Sequence, residues 1–178
     1  MNELVARVKG MIMAPGQEWR VIAREPVELV PLFTRYVMIL AAIPAIAGFL
    51  LIAIWAPFHA LTGAIVGYIL SLVAVFVTAK IIEILAPNFG GPQDADAALK
   101  LAAFAPTAAW VSGAFLIVPV LGWLVALIGG FYALYTLYLG VPLVMRVPQE
   151  KAAGFTLAVI GVAILVNIAV RLLTGILI

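Results

Sequence analysis

A chain of 178 residues, of which 66% are hydrophobic and only 10% are charged, carries too much apolar surface for a soluble domain of its size. Its mean hydropathy of +1.25 indicates that lipid surrounds most of the chain. The absence of cysteine excludes disulfides, thiolate catalysis and cysteine-ligated metals, and a net charge of +2 without clustering gives no basis for nucleic-acid binding.

Residues 1–35 are predicted to form amphipathic helices that do not cross the membrane. One helical face of the first helix is apolar and comprises Leu4, Val8, Met11 and Ile12. Pro15 ends that helix and can open a second one, which carries Trp19, a residue suited to the headgroup layer. Two helices lying on the membrane surface and a small cap packed on the bundle both fit this segment.

The first two predicted spans cover residues 36–55 and 61–85. Because the long apolar run begins only near Tyr36, no cleaved leader is expected. Pro44 should kink the first span, and His59 falls in a short outer turn. Gly63 and Gly67 have the GxxxG spacing, for which packing within the chain is favoured over dimerisation.

The stretch 80–106 is the longest break in the apolar sequence and separates two hydrophobic halves. It begins with a Gly/Pro turn in which Gly90 and Gly91 can adopt positive φ. An amphipathic helix over 94–104 follows, capped by Asp94 or Asp96, and leads into a kink at Pro106. The third span, 99–118, needs that helix to reach full length, and a re-entrant segment is the competing interpretation.

A tight turn at 119–122 leads to two more spans, 123–145 and 152–177. With five spans, nine of the ten basic residues fall on one side, which the positive-inside rule makes cytoplasmic. The fold class is therefore all-α: a polytopic membrane protein with five transmembrane helices, a cytoplasmic N-terminus and an external C-terminus. Its predicted organisation is an amphipathic segment, 1–35, and a five-helix domain, 36–178.

Several blocks of sequence resemble the bacterial branch of the YIP family, five-span membrane proteins named for interaction with Ypt/Rab GTPases in eukaryotes. These blocks are RYVMILAAIPAIAGFL, the FGG of the central break, FAPTAAWVSGAFLIVPVLGWLVALIGGFYALYTLYLGVPLVM and PQEKAAGFTLAVIGVAILVN. The most specific is YTLYLGVP at 135–142. The resemblance covers roughly residues 10–170. It implies an all-helical bundle with a cytosolic N-terminus in the bacterial inner membrane, and it supplies no catalytic residues.

Catalysis has little support, because His59 is the single histidine and no carboxylate lies near it in sequence. We expect no enzyme activity, no cofactor and no metal. Lys80 and Glu83, at i and i+3 near the cytoplasmic end of the second span, should form a satisfied pair whose lysine reaches the interface.

Near the outer end of the last span, Arg171 should reach the headgroups, and Asn167 should hydrogen-bond to another helix. On the fourth span, Phe131, Tyr135, Tyr138 and Pro142 share one face. That face is predicted to pack in the core, with a substrate path as the alternative.

Two functions fit these features. The first is a scaffold or adaptor that acts through its cytoplasmic face (1–35, 86–100 and 146–151), with the bilayer, a cytoplasmic protein and a second copy as candidate partners. Phe89, Gly90 and Gly91 are its predicted contact residues, whereas nucleic acid is excluded as a partner. The second function is a small uncoupled transporter or channel for a lipid, ion or small solute. Its path would be lined by Lys80, Glu83, Tyr135 and Asn167.

Overall fold

The computed structural model describes residues 2–118 and 120–177, and these are helical with short connections and no strand. The α-helices are α1 (Asn2–Met13), α2 (Pro15–Arg24), α3 (Leu29–Leu32), α4 (Met38–Ala53), α5 (Pro57–Leu85), α6 (Ala95–Phe104), α7 (Thr107–Ser112), α8 (Leu121–Val144) and α9 (Gln149–Leu177). A π-helical turn, Phe33–Val37, joins α3 to α4, and the 3-10 segments Ala86–Phe89 and Gly113–Ile117 follow α5 and α7. The all-helical class is confirmed.

Five helical segments are long and apolar enough to cross a bilayer, which confirms the predicted number. They are Leu29–Ala53, Pro57–Phe89, Ala95–Ile117, Leu121–Val144 and Gln149–Ile176. The third consists of α6, α7 and a 3-10 turn, with a break at Ala105 and Pro106. Both parts are needed, because neither alone is long enough to cross a bilayer. Pro119, in the predicted tight turn, lies outside the described residues.

The first two spans pair closely, and one expectation for the connection between them was wrong. Helix α4 continues through Pro44, whose ring lies where a side chain at Gly113 would have to go. Helix α5 opens at Pro57, so His59 belongs to its first turn; its expected position in a loop was wrong because proline at the first helical position starts the helix earlier. Gly67 faces open space, so at this position the GxxxG spacing does not bring helices together.

Helices α1 and α2 form a hairpin packed against α8. Leu4 and Val8 pack on the core and Met11 is buried. The apolar face of α1 is therefore covered by protein, as in the packed-cap alternative and not as in a helix lying on lipid.

The well-packed core lies at one end of the bundle. We call this the basic end: the hairpin α1–α2, the connection 86–94, helix α6 and the loop 145–148. The largest fully buried side chains belong to this end and the helix turns beside it: Trp19, Phe155, Met11, Ile22, Ile82, Leu101 and Met145. Toward the other end the large apolar side chains are exposed, for example Trp55, Phe58, Ile128 and Leu165. Such a surface is stable only in lipid.

Two expectations for the central break were wrong. Helix α6 is not amphipathic, since every residue from Ala97 to Phe104 is buried, including Lys100. Its alanines keep it thin enough to be surrounded by the hairpin, α5 and α8. Of the two glycines, only Gly90 has a positive φ, 82°. Gly91 is required for space, because a Cβ there would lie 2.9 Å from the Met145 carbonyl oxygen.

Candidate functional site

An ion cluster holds the N-terminal hairpin together at the basic end. The Arg7 guanidinium donates to Glu18 Oε1 at 2.6 Å and to both carboxylate oxygens of Glu25 at 2.6 Å. Burial lowers the pKa of Arg7, but the two carboxylates outweigh burial and leave that pKa above its ordinary value. Gly10 makes room for this cluster, because a Cβ there would overlap the Glu18 carboxylate.

Trp19 anchors the hairpin to α8, and its expected place in the headgroup layer was wrong. Its side chain is 0% exposed, and Nε1 donates to the Thr136 carbonyl oxygen at 2.8 Å. Gly140 provides the slot for the ring, since a Cβ there would lie 2.7 Å from Trp19 Cε2 and from Leu101 Cδ1. The indole therefore has both its apolar body and its polar N–H satisfied inside the protein.

Lys100 links the hairpin to α6. Its Nζ donates to the Glu25 carbonyl oxygen at 2.6 Å while its side chain is buried. Glu25 thus accepts from Arg7 through its carboxylate and from Lys100 through its backbone. A buried ammonium needs such a partner, because desolvation without a hydrogen bond is unfavourable.

A polar pocket of about 200 Å³ opens beside this junction. Its charged lining consists of Glu25, Asp94, Asp96, Lys100 and Arg146. Asp94 also caps α6, accepting from the Ala97 N–H at 2.9 Å, which confirms the predicted cap. Arg146 has a φ of 53°, a backbone conformation that side chains rarely adopt. The pocket presents both signs of charge. Among the described residues no group of three or more His, Asp or Glu is arranged to hold a metal ion.

The predicted pair on α5 is confirmed, since Lys80 Nζ lies 2.8 Å from Glu83 Oε2. Lys80 is mostly exposed, whereas Glu83 is buried. Gln93, which the sequence did not suggest, donates to the other carboxylate oxygen at 3.3 Å. The pair therefore ties the end of α5 to the connection that follows it.

The segment Phe89–Gly91 is packed against the protein. The Phe89 ring lies 5.3 Å from that of Phe155 on α9, in an edge-on arrangement. Gly90 lies against Pro148 in the loop before α9, and Gly91 against Met145. The three residues join the central connection to the start of α9.

Tyr135 and Tyr138 face away from the bundle. Tyr135 is 51% exposed, Tyr138 is partly exposed, and Phe131 on the same face is exposed. Their expected place in the core was wrong, because α8 turns its opposite face, with Ala133 and Thr136, toward α6 and α7. Helical spacing showed that these residues share a face, but not whether that face points into the bundle or away from it.

Asn167 and Arg171 are also exposed, on the half of α9 farthest from the basic end. Asn167 was expected to bond to another helix; its Nδ2 donates instead to the Ala163 carbonyl one turn earlier in α9, at 2.8 Å. The reason is that this part of α9 has few neighbours, and most of its large side chains point outward.

The residues predicted to line a path are therefore not brought together. Glu83 is buried at the basic end, Tyr135 faces outward from α8 and Asn167 faces outward from α9. Four cavities among the described residues have none of these side chains in their linings. The largest, of about 400 Å³, is a groove between α4 and α5 lined by His59, Gly63, Tyr68 and Ser71 among others.

Sequence reasoning missed the junction of Arg7, Glu25 and Lys100. No local spacing could reveal it, because Glu25 lies 18 residues from Arg7 and 75 from Lys100. The burial of α6 had a sequence signal in its alanines, which leave no large side chain on several sides of the helix.

Comparison with known proteins places this geometry in a family. The Yip1 domain matches residues 9–170. "Inner membrane protein YohC" of Escherichia coli K12 is 28% identical over 190 residues, covering 97% of this chain and 96% of the relative. The protein of the same name from Escherichia coli O6:H1, strain CFT073, matches equally well. No solved structure matches this chain.

Proposed function

This chain belongs to the Yip1 domain family, and from that premise we propose that it is a non-enzymatic scaffold or adaptor of the bacterial inner membrane that binds a protein through its basic end. The inner-membrane location is taken from the relative in Escherichia coli, whose name states it, and it agrees with five helices that can span a bilayer.

The basic end faces the cytoplasm in this proposal. Nine of the ten Lys and Arg residues lie in the segments that meet there or at the helix ends beside it, whereas Arg171 belongs to the far half of α9. The positive-inside rule favours the cytoplasm for the side that carries them. With an odd number of spans, the C-terminal end of α9 then faces outward.

One observation carries the binding role: three segments distant in sequence are fixed into a single polar surface. Arg7 and Lys100 join the hairpin to α6 through Glu25, and Gly90 packs on Pro148 of the α8–α9 loop. The polar pocket lies where the hairpin and α6 meet Arg146. A surface that is ordered before binding loses little conformational entropy when a partner docks.

Site-specific photocrosslinking in native membranes tests the proposal. A photoreactive residue replacing exposed Asp96, at the polar pocket, should give a discrete adduct with another protein. The same residue at position 171 should give none. Arg146→Gln should weaken the adduct at position 96, while the matched neutralisation Arg171→Gln should leave it unchanged. Equal adducts at positions 96 and 171, or no adduct at 96, would refute the proposal; an adduct with a second copy would identify the partner as the protein itself.

The alternative, an uncoupled transporter or channel, has less support because its predicted lining residues face different surroundings. It predicts solute or lipid movement in proteoliposomes that Glu83→Gln or Tyr135→Phe slows. Movement that neither substitution changes would count against that path.

A further inference from the structure

The tip of the α1–α2 hairpin is apolar, and one of its side chains, Met13, is open to its surroundings. Residues 10–16, GMIMAPG, contain no charged side chain and no side chain that forms hydrogen bonds through oxygen or nitrogen. Met13 at the tip is 77% exposed. An exposed methionine is ordinary in lipid and unfavourable in water.

Hydrogen bonds between helices show which part of α8 lies level with the last charged residue of the first span. Arg35 is the last charge before the apolar part of that span. Its neighbour Tyr36 is hydrogen-bonded through its hydroxyl to Thr107 Oγ1 at 2.7 Å. Thr136 Oγ1 donates to the Ala105 carbonyl at 3.0 Å, so α8 crosses the same level near Thr136. Because a charged side chain is unfavourable in hydrocarbon, we take this level, just past Arg35, as the hydrocarbon boundary of the first span.

The hairpin tip passes this level. The Tyr132 hydroxyl donates to the Ile12 carbonyl oxygen at 2.6 Å. Tyr132 lies one helical turn beyond Thr136, away from the basic end, which corresponds to about 6 Å of rise along α8. Met13 therefore lies about one turn inside the hydrocarbon boundary. Lys9 and Gln17, about one turn back from it along α1 and α2, are exposed, which suits a level at which long polar side chains reach the headgroups.

We propose that residues 10–16 form a wedge that inserts into the leaflet at the basic end, with Met13 among the acyl chains. The wedge is a fixed part of the fold, because Tyr132 holds its backbone and Trp19 holds the next turn of α2 against α8. Its ligand is the acyl-chain region of membrane lipid, not a headgroup. The proposal requires only that the spans cross a bilayer, and it stands independently of the adaptor role.

The natural absence of cysteine makes a direct test possible. Single-cysteine variants Met13→Cys, Val5→Cys and Ile65→Cys place a nitroxide at exposed positions of the full chain. Val5 is two turns earlier on α1 and serves as the aqueous reference; Ile65, on the apolar part of α5, serves as the lipid reference. The protein is reconstituted in phosphatidylethanolamine and phosphatidylglycerol, and electron paramagnetic resonance measures accessibility to oxygen and to a water-soluble nickel complex.

We expect the label at position 13 to resemble the label at position 65, with high oxygen and low nickel accessibility, and the label at position 5 to show the reverse. All three side chains are exposed, so their replacement leaves the core intact. A label at position 13 as accessible to nickel as the label at position 5 would overturn the proposal.

Discussion

Replacing Trp19 tests whether this one side chain holds the hairpin on the bundle. Trp19→Phe removes the N–H that donates to the Thr136 carbonyl at 2.8 Å, together with part of the ring volume. Trp19→Ala removes the whole ring from a site that is 0% exposed. Trp19→Phe thus loses the hydrogen bond and a small part of the packing, whereas Trp19→Ala loses the hydrogen bond and the whole ring.

The expected magnitudes follow from these contacts. A net hydrogen bond contributes about 1 kcal/mol, and the remaining gap beside Gly140 adds a similar amount, so Trp19→Phe should destabilise docking by about 2 kcal/mol. Removing a fully buried Trp ring should destabilise it by about 3–5 kcal/mol. Since about 1.4 kcal/mol is a factor of ten in an equilibrium, the undocked fraction should rise about 30-fold for Phe and at least about 100-fold for Ala.

Thiol labelling measures the undocked fraction directly, because the chain has no natural cysteine. Ile22→Cys places a thiol on α2 at a position that is 1% exposed, so a maleimide reacts only when the hairpin opens. The labelling rate should increase from the Trp19 background to Phe and then to Ala. Arg20→Cys, an exposed position on the same helix, should react at one rate in all three. If the Ala variant labels the thiol at position 22 less than about five times faster than the parent, corresponding to under about 1 kcal/mol, Trp19 is not the anchor.

Three further predictions concern the basic end and the central connection. Arg7→Met should accelerate labelling of the thiol at position 22. Because the pKa of Arg7 is raised, its stabilising contribution to docking is fully present at every pH below the ordinary arginine pKa. The labelling rate of the parent should therefore change between about pH 7 and about pH 9 only with the fraction of thiolate, and a loss of docking in that range would contradict this. Lys80→Met should lower the midpoint of thermal unfolding more than Glu83→Gln does, because it leaves the Glu83 carboxylate without its cation, and equal losses would contradict this. Gly91→Ala should destabilise by about 1–3 kcal/mol in thermal unfolding, since its Cβ would meet the Met145 carbonyl oxygen at 2.9 Å, whereas Gly67→Ala, which meets nothing within 4 Å, should be neutral or stabilising.

Local features of this molecule were predictable from its sequence. Asp94 bonds to the N–H three residues ahead, and Glu83 to a lysine three residues back, so their partners are fixed by helical spacing alone. The number of spans follows from the length of apolar runs. Both kinds of inference depend on contacts within one helix or on the thickness of the bilayer.

Features that depend on which helix covers which could not be predicted in this way. The partner of Trp19 lies 117 residues away and that of Lys100 lies 75 residues away. The face shared by Phe131 and Tyr135 was correctly identified as one face, but in lipid an outward face is as apolar as an inward one. Hydrophobicity therefore loses the power to distinguish inside from outside that it has in a soluble protein.

The long-range anchor of the hairpin also sets an order of events during synthesis. The ribosome makes α1 and α2 before the five spans, yet the slot for Trp19 needs Gly140 and the Thr136 carbonyl, near the end of the fourth span. When the hairpin emerges, none of its docking surface on α8 exists, and closing this contact must wait until most of the chain has been made. A segment translated before all five spans is thus among the last to reach its native position on α8.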